Sequence, residues 1–272
     1  MSDTADEQAK TTGEGDDQSA AGSDNDSAAA TPDDDRRLFP RVTAYRFRRG
    51  SMRPGQQKNW EKYWSTYGRN VTDELVDRQE WFGRDAPLIV EIGSGTGTST
   101  AAMAEVEPDK DVIAVEVYQP GLAQLLGLVV RGELENVRMI RGDGVDVLTN
   151  MIAPASLAGV RVFFPDPWPK ARHHKRRLLQ LGTFELIASR LAPGGVLHVA
   201  TDHVDYGEWI DEVGNSAPSL SRIAESEIPD AIPFTTERPV TKFEGKGLDE
   251  DRVIREFFWR RRIDAESADP GR

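Results

Sequence analysis

The chain contains no cysteine. That absence removes disulfides, thiolate nucleophiles, thiolate zinc sites and iron–sulfur clusters from consideration. No run of about 18 apolar residues occurs, and the first residues lack the basic-then-apolar layout of a secretion signal, so membrane insertion and export are not expected. These absences suit a cytoplasmic protein. Histidine is scarce, four in 272 residues, and no spaced His/Glu cluster accompanies it, so no metal is expected. Residues 1–35 hold no Val, Ile, Leu, Phe, Tyr or Trp, and a segment without such side chains cannot offset its ordering entropy. A disordered tail is predicted there. It carries eleven acids against Lys10, so most of the formal charge of −12 sits in this one place. Its role stays open between a plain solvating extension and a segment that repels non-cognate polyanions or competes for a basic face.

What residues 36–60 lack is acid. Arg36, Arg37, Arg41, Arg46, Arg48, Arg49, Arg53 and Lys58 stand there without a single Asp or Glu, interleaved with Phe39, Tyr45, Phe47 and Trp60 and followed by Tyr63, Trp64 and Tyr67. Cations for phosphates beside flat rings for stacking suit an arm, residues 36–67, that contacts RNA. Aromatics that simply pack on a core are the alternative.

From Gly68 onward the pattern becomes regular, and a catalytic domain is read over 68–263, with a polar tail over 264–272. Val71, Leu75 and Phe82 recur at helical spacing before Gly83, which predicts a helix. Short apolar runs at Leu88 to Ile92, Val112 to Val117, Val137 to Ile140, Val160 to Phe164 and Val196 to Ala200 predict buried strands. Helical patterns separate them. One opens with Pro120 and repeats Leu122, Leu125, Leu126 and Val129; another runs to Leu191, before Pro193-Gly194-Gly195. Alternating strands and helices imply an α/β fold with a doubly wound, mostly parallel sheet.

The first strand leads into Glu91-Ile92-Gly93-Ser94-Gly95-Thr96-Gly97. Glycines here let a backbone approach a ligand and permit left-handed turns, although a tight structural turn reads the same way. Glu116 sharpens the case, because an acid at the end of the second strand can accept hydrogen bonds from ribose hydroxyls. The dinucleotide pattern G-x-G-x-x-G fails at Thr98 and Thr100, which disfavours a nicotinamide cofactor. Gly93, Gly95 and Gly97, led by Glu91, resemble instead the first motif of class I S-adenosylmethionine methyltransferases. That resemblance implies a seven-stranded Rossmann-like sheet and a third polar contact after the third strand, where Asp143 stands.

At the carboxyl end of the fourth strand lies Phe163-Phe164-Pro165-Asp166-Pro167-Trp168-Pro169-Lys170, then Arg172, His173, His174, Lys175, Arg176 and Arg177. Prolines on both sides restrict the backbone of Asp166. The basic block precedes a helix, where cations oppose the helix dipole by roughly 0.3–1 kcal/mol each, so phosphate binding is the use expected of it. The stretch from Phe163 to Arg177 closely resembles the signature of the bacterial tRNA (guanine-N7-)-methyltransferases. The likeness extends through Ala200-Thr201-Asp202 and Thr241-Lys242-Phe243-Glu244. It implies S-adenosylmethionine as cofactor and tRNA, at its variable loop, as substrate. It further implies Glu91, Glu116, Asp143 and Asp166 as cofactor-site acids, with Asp166 also catalytic. Lys170, Asp202, Thr241, Lys242, Phe243 and Glu244 become substrate contacts, and residues 172–177 an RNA-binding loop. A methyltransferase for another nucleobase nitrogen is the alternative. His198 is expected in the core, and a monomer or homodimer is compatible with everything above.

Overall fold

The computed structural model describes residues 50–228, 230–239 and 253–263. The acidic tail, the basic arm up to Arg49, the run Thr241 to Glu244 and the tail from 264 lie outside these residues.

Among the described residues eight strands form one sheet: β1 (Gly68–Asn70), β2 (Leu88–Ile92), β3 (Asp111–Glu116), β4 (Val137–Arg141), β5 (Leu157–Phe163), β6 (Leu191–Thr201), β7 (Leu220–Arg222) and β8 (Arg255–Arg261). Their order is β1-β4-β3-β2-β5-β6-β8-β7. The five strands read from the sequence are all present, and all pair in parallel. β8 runs antiparallel to both β6 and β7. The count exceeds the seven expected because the short β1 adds itself to the outer edge of β4.

α1 (Pro54–Tyr67) precedes β1, and between the strands lie α2 (Arg78–Phe82), α3 (Thr98–Val106), α4 (Gln119–Arg131), α5 (Gly144–Asn150), α6 (Leu181–Arg190) and α7 (Val204–Ser216). Strand residues alternate between two covered faces. Val90, Ile92, Ile113 and Val115 pack with Val147, Phe184, Ile187, Tyr206 and Ile210 of α5, α6 and α7. Ile89, Val112 and Ala114 face Ala101, Leu122, Leu125, Leu126 and Val129 of α3 and α4. Two buried faces explain why these strands read as continuous apolar runs.

The helix predicted from Gly68 to Phe82 is corrected. Gly68 to Asn70 pair with β4 instead, and Leu75 is exposed. The helix begins only after Asp77, whose carboxylate accepts from the Glu80 N–H at 2.9 Å, and ends at Gly83, in a left-handed conformation with φ 75°. An open sheet edge and a good N-cap outweigh weak helical spacing. In the described part of the arm, Trp60, Tyr63, Trp64 and Tyr67 pack against the α3/α4 side of the core, with Trp60 and Trp64 stacked at 3.8 Å. For these four rings the packing alternative holds.

Candidate functional site

Parallel register brings the ends of β2 through β6 to one edge of the sheet: Ile92 lies beside Val115 and Val162, Glu116 beside Arg141, and Phe163 beside Ala200. The strand order reverses between β2 and β5, and crevices at such points accept ligands. Glu91, Glu116, Asp143, Asp166 and Asp202 all stand on or just beyond these ends.

Gly93, Gly95 and Gly97 adopt φ of 78°, 58° and 71°. A Cβ on Gly93 would meet nothing within 4 Å, so the left-handed conformation, not packing, calls for glycine there. At Gly97 the reason is packing, because a Cβ would fall 2.4 Å from Leu125. Hydrogen bonds hold the turn in place. The Gly93 N–H donates to the Val115 carbonyl at 2.8 Å, and the Gly95 N–H donates to Glu116 Oε2 at 2.8 Å. Glu116 Oε1 accepts from Val117 and Tyr118 at 2.7 and 2.9 Å. The carboxylate expected to hold a ribose therefore also fastens the glycine turn. Gly121 was not singled out in the sequence, yet a Cβ there would lie 2.2 Å from the Gly95 carbonyl oxygen. Only glycine lets the start of α4 close against the turn.

Glu91 is buried, and its Oε2 has no hydrogen-bond partner among the described residues. Burial pushes its carboxyl up, opposed by Arg161, the Thr100 hydroxyl and Arg238. Asp143 caps α5, accepting from the Val145 N–H at 2.8 Å. Open backbone at Gly93 and Gly95, with the carboxylates of Glu116 and Asp143 at the ends of two adjacent strands, suits a nucleoside that carries positive charge.

The segment around Asp166 is built on strained backbone. Phe164 and Trp168, which bracket Pro165-Asp166-Pro167, have φ of 50° and 45°, a region unfavourable for bulky side chains. The Phe164 N–H donates to the Ala200 carbonyl at 2.8 Å, which ties the segment to β6. Asp166 is half-buried and lies close enough to Tyr206 to oppose ionisation of its phenol. Trp168 is buried beneath the Arg176 guanidinium, 3.9 Å from its ring centre.

The basic block does not enter α6 as expected. Ala171–Arg176 forms a separate 3-10 turn, and extended residues separate it from Leu181. The dipole penalty invoked from the sequence therefore does not apply. Lys170, Arg172 and Lys175 are exposed, and His173, His174 and Arg176 are partly so. Arg177 departs from the group, being 2% exposed. Asp202 is half-buried at the end of β6, and neighbouring His203 caps α7, its Nδ1 3.3 Å from the Tyr206 N–H. Thr241, Lys242, Phe243 and Glu244 lie outside the described residues.

Beneath the site runs a charged row of which sequence reading singled out only Glu91 and His198. Glu91, Arg161 and His198 are register neighbours on β2, β5 and β6. Arg161 donates to Glu107 at 2.7 Å, and Glu256 accepts from His198 at 2.9 Å and from Arg238 Nε at 3.2 Å. Arg238 also covers the rings of Phe163 and Phe164, at 5.1 Å each. The available signal was Arg161 itself, a charge inside a predicted buried strand.

Comparison with known proteins adds to this geometry. The family model Methyltransf_4, described as "Putative methyltransferase", matches residues 85–257. A tRNA (guanine-N(7)-)-methyltransferase of Corynebacterium jeikeium is 58% identical over 84% of this chain and 91% of its own length. The Rhodococcus jostii protein of the same name is 60% identical, over 82% of this chain and 84% of its own. That of Corynebacterium diphtheriae is 54% identical, over 82% and 88%.

Proposed function

The chain belongs to the family of tRNA (guanine-N(7)-)-methyltransferases, and we propose that it methylates N7 of a guanine in the variable loop of tRNA, with S-adenosylmethionine as donor. The observation that carries this reading is the placement of a proline-bracketed carboxylate, Asp166, on the same sheet edge as the open glycine turn. S-adenosylmethionine supplies an electrophilic methyl group on a sulfonium. Gly93, Gly95 and Gly97 cradle it, while Glu116 and Asp143 supply negative charge and Glu91 lies buried at the end of β2, where burial favours its neutral form.

Guanine N7 bears an in-plane lone pair and no proton, so the protein needs no base to activate it. Its work is alignment, which supplies roughly 7–11 kcal/mol of a barrier when the reacting atoms are well placed. Asp166, with Asp202 or Glu244, accepts hydrogen bonds from guanine N1–H and the exocyclic amino group. Adenine presents no equivalent pair, which gives the selectivity a source. The methylated base is cationic, and a carboxylate beside it stabilises the charge as it develops. Lys170, Arg172, Lys175 and Arg176 meet the phosphates, and Thr241, Lys242 and Phe243 complete the substrate contacts.

Incubation with labelled S-adenosylmethionine and unmodified tRNA, followed by nucleoside mass spectrometry, reports donor, substrate and target atom together. Label in 7-methylguanosine is expected; label in a methylated adenosine or cytidine overturns the assignment. In the same assay Asp166→Ala should lose about 100- to 1000-fold in kcat, the scale of one missing charge-stabilising group. A folded Asp166→Ala protein that binds cofactor and turns over normally removes Asp166 from the chemistry.

A further inference from the structure

We infer that Arg177 is a positioning residue that locks the Pro165-Asp166-Pro167 segment to the first turn of α7, and that it is not a phosphate contact. The inference rests on the reading above, in which Asp166 meets the base. Arg177 is 2% exposed, whereas Arg172 and Lys175 in the same run face solvent. A guanidinium offers five N–H donors in a fixed plane, and here they serve two elements. Nε donates to the Pro167 carbonyl at 3.0 Å. Nη2 donates to Asp205 Oδ2, in the first turn of α7, and lies 3.1 Å from His174 Nε2. The plane also covers Tyr206 and Trp209, 4.9 and 5.5 Å from their ring centres.

Neighbouring bonds reinforce the clasp. The Tyr206 hydroxyl accepts from the Leu179 N–H at 3.2 Å, Trp209 Nε1 donates to the Leu179 carbonyl at 2.9 Å, and Gln180 Nε2 donates to the His174 carbonyl at 2.9 Å. The Arg177 hydrogen bond holds the Asp205 carboxyl below its ordinary range, so this acceptor stays ionised at neutral pH. Asp202 stands two residues before α7. A single side chain thus couples the backbone beside Asp166 to the element that follows Asp202. Proline at 167 fixes φ there, which leaves little slack between the clasped carbonyl and the Asp166 carboxylate. Lysine cannot substitute, because its donors radiate from one nitrogen and do not form a fork.

The test compares full-length Arg177→Lys and Asp205→Asn with Arg172→Gln, in three measurements: steady-state methylation, salt-dependent tRNA binding, and amide exchange of residues 163–169. Misplacement of about 1 Å costs on the order of 100-fold in rate. Arg177→Lys should therefore lower kcat about 10- to 100-fold and Asp205→Asn about 3- to 10-fold, with tRNA KM and salt slope within about twofold of wild type. Amides of Phe164, Asp166 and Trp168 should exchange faster in both. Arg172→Gln should do the reverse, raising KM and flattening the salt slope. Wild-type kcat and exchange in Asp205→Asn overturn the inference, as does an Arg177→Lys loss confined to KM and salt slope. If Arg177→Lys fails to fold, Asp205→Asn decides alone, since its side chain is half exposed. If the wild type methylates no guanine, the functional reading falls, and the exchange comparison still decides the clasp.

Discussion

Asp166 sits between two residues that the backbone disfavours. Positive φ at Phe164 and Trp168 costs on the order of 1–3 kcal/mol each, and it persists because ties over-determine the segment: the Phe164 bond to Ala200, the Arg177 bond to Pro167 and the Arg176 guanidinium over Trp168. The prolines and the acid were legible in the sequence. The strain was not, because it depends on what β6 and the basic turn supply from elsewhere in the chain. Gly121 belongs with these hidden determinants. Its neighbours in sequence mark only a helix start, and its need for glycine comes from the Gly95 carbonyl across the fold. Gly121→Ala should push the glycine turn outward and weaken S-adenosylmethionine binding by at least about tenfold, while overpacking costs roughly 1–3 kcal/mol of stability. Calorimetric titration of a folded Gly121→Ala protein checks this; wild-type affinity would show that the turn yields without consequence.

Elements divide by how strongly local chemistry speaks. β2 through β5 and the inner part of β6 were readable because two covered faces demand continuous apolar runs, and α4 because Pro120 and its leucines fix both start and buried face. β1 and β7, with three residues each, carry no periodicity to read, and β8 mixes arginines with its buried Phe257, Phe258 and Trp259. Pairing defines β1, and pairing together with burial of Leu220, Phe257, Phe258 and Trp259 against the core defines β7 and β8. The basic turn is the instructive element. Its sequence suggested six equivalent cations or histidines, and the structure leaves Arg172 and Lys175 exposed, His173, His174 and Arg176 partly so, and Arg177 buried. Replacing Arg172, Lys175 and Arg176 by Gln should weaken tRNA binding and reduce the slope of log affinity against log salt by about 0.7–0.9 for each phosphate no longer neutralised. Thermal stability should fall by no more than the Arg176–Trp168 contact supplies, about 0.5–2 kcal/mol, because Arg172 and Lys175 face solvent. A triple variant with the wild-type salt slope removes the turn from the RNA interface.

At the scale of the molecule, the charged row under the site makes folding stability depend on pH. His198 is wholly buried between Phe163, at 4.8 Å, and Phe258, at 4.2 Å. Burial pushes its imidazole below the ordinary 6.5, against the opposing pull of Glu256, while Arg161 and Arg238 add to the depression. The unfolded chain thus takes up a proton near pH 6.5 that the folded chain refuses, so stability present above that pH is lost as the pH falls toward the folded value. The slope approaches about 1.4 kcal/mol per pH unit for one proton. Burial also pushes Glu256 up, but hydrogen bonds from His198 and Arg238 outweigh it and leave its carboxyl below the ordinary 4.5, so its contribution disappears only in more acid solution. Glu91 is raised and acts with the opposite sign, its share being lost as pH rises. His198→Gln keeps an N–H donor for Glu256 and removes the titration. Denaturant melts between pH 7.5 and 5 should therefore show a steeper acid loss in the wild type than in His198→Gln. Parallel curves for the two proteins would mean that the imidazole is protonated equally in the folded and unfolded chains, and the buried row would then have to accommodate a third cation beside Arg161 and Arg238.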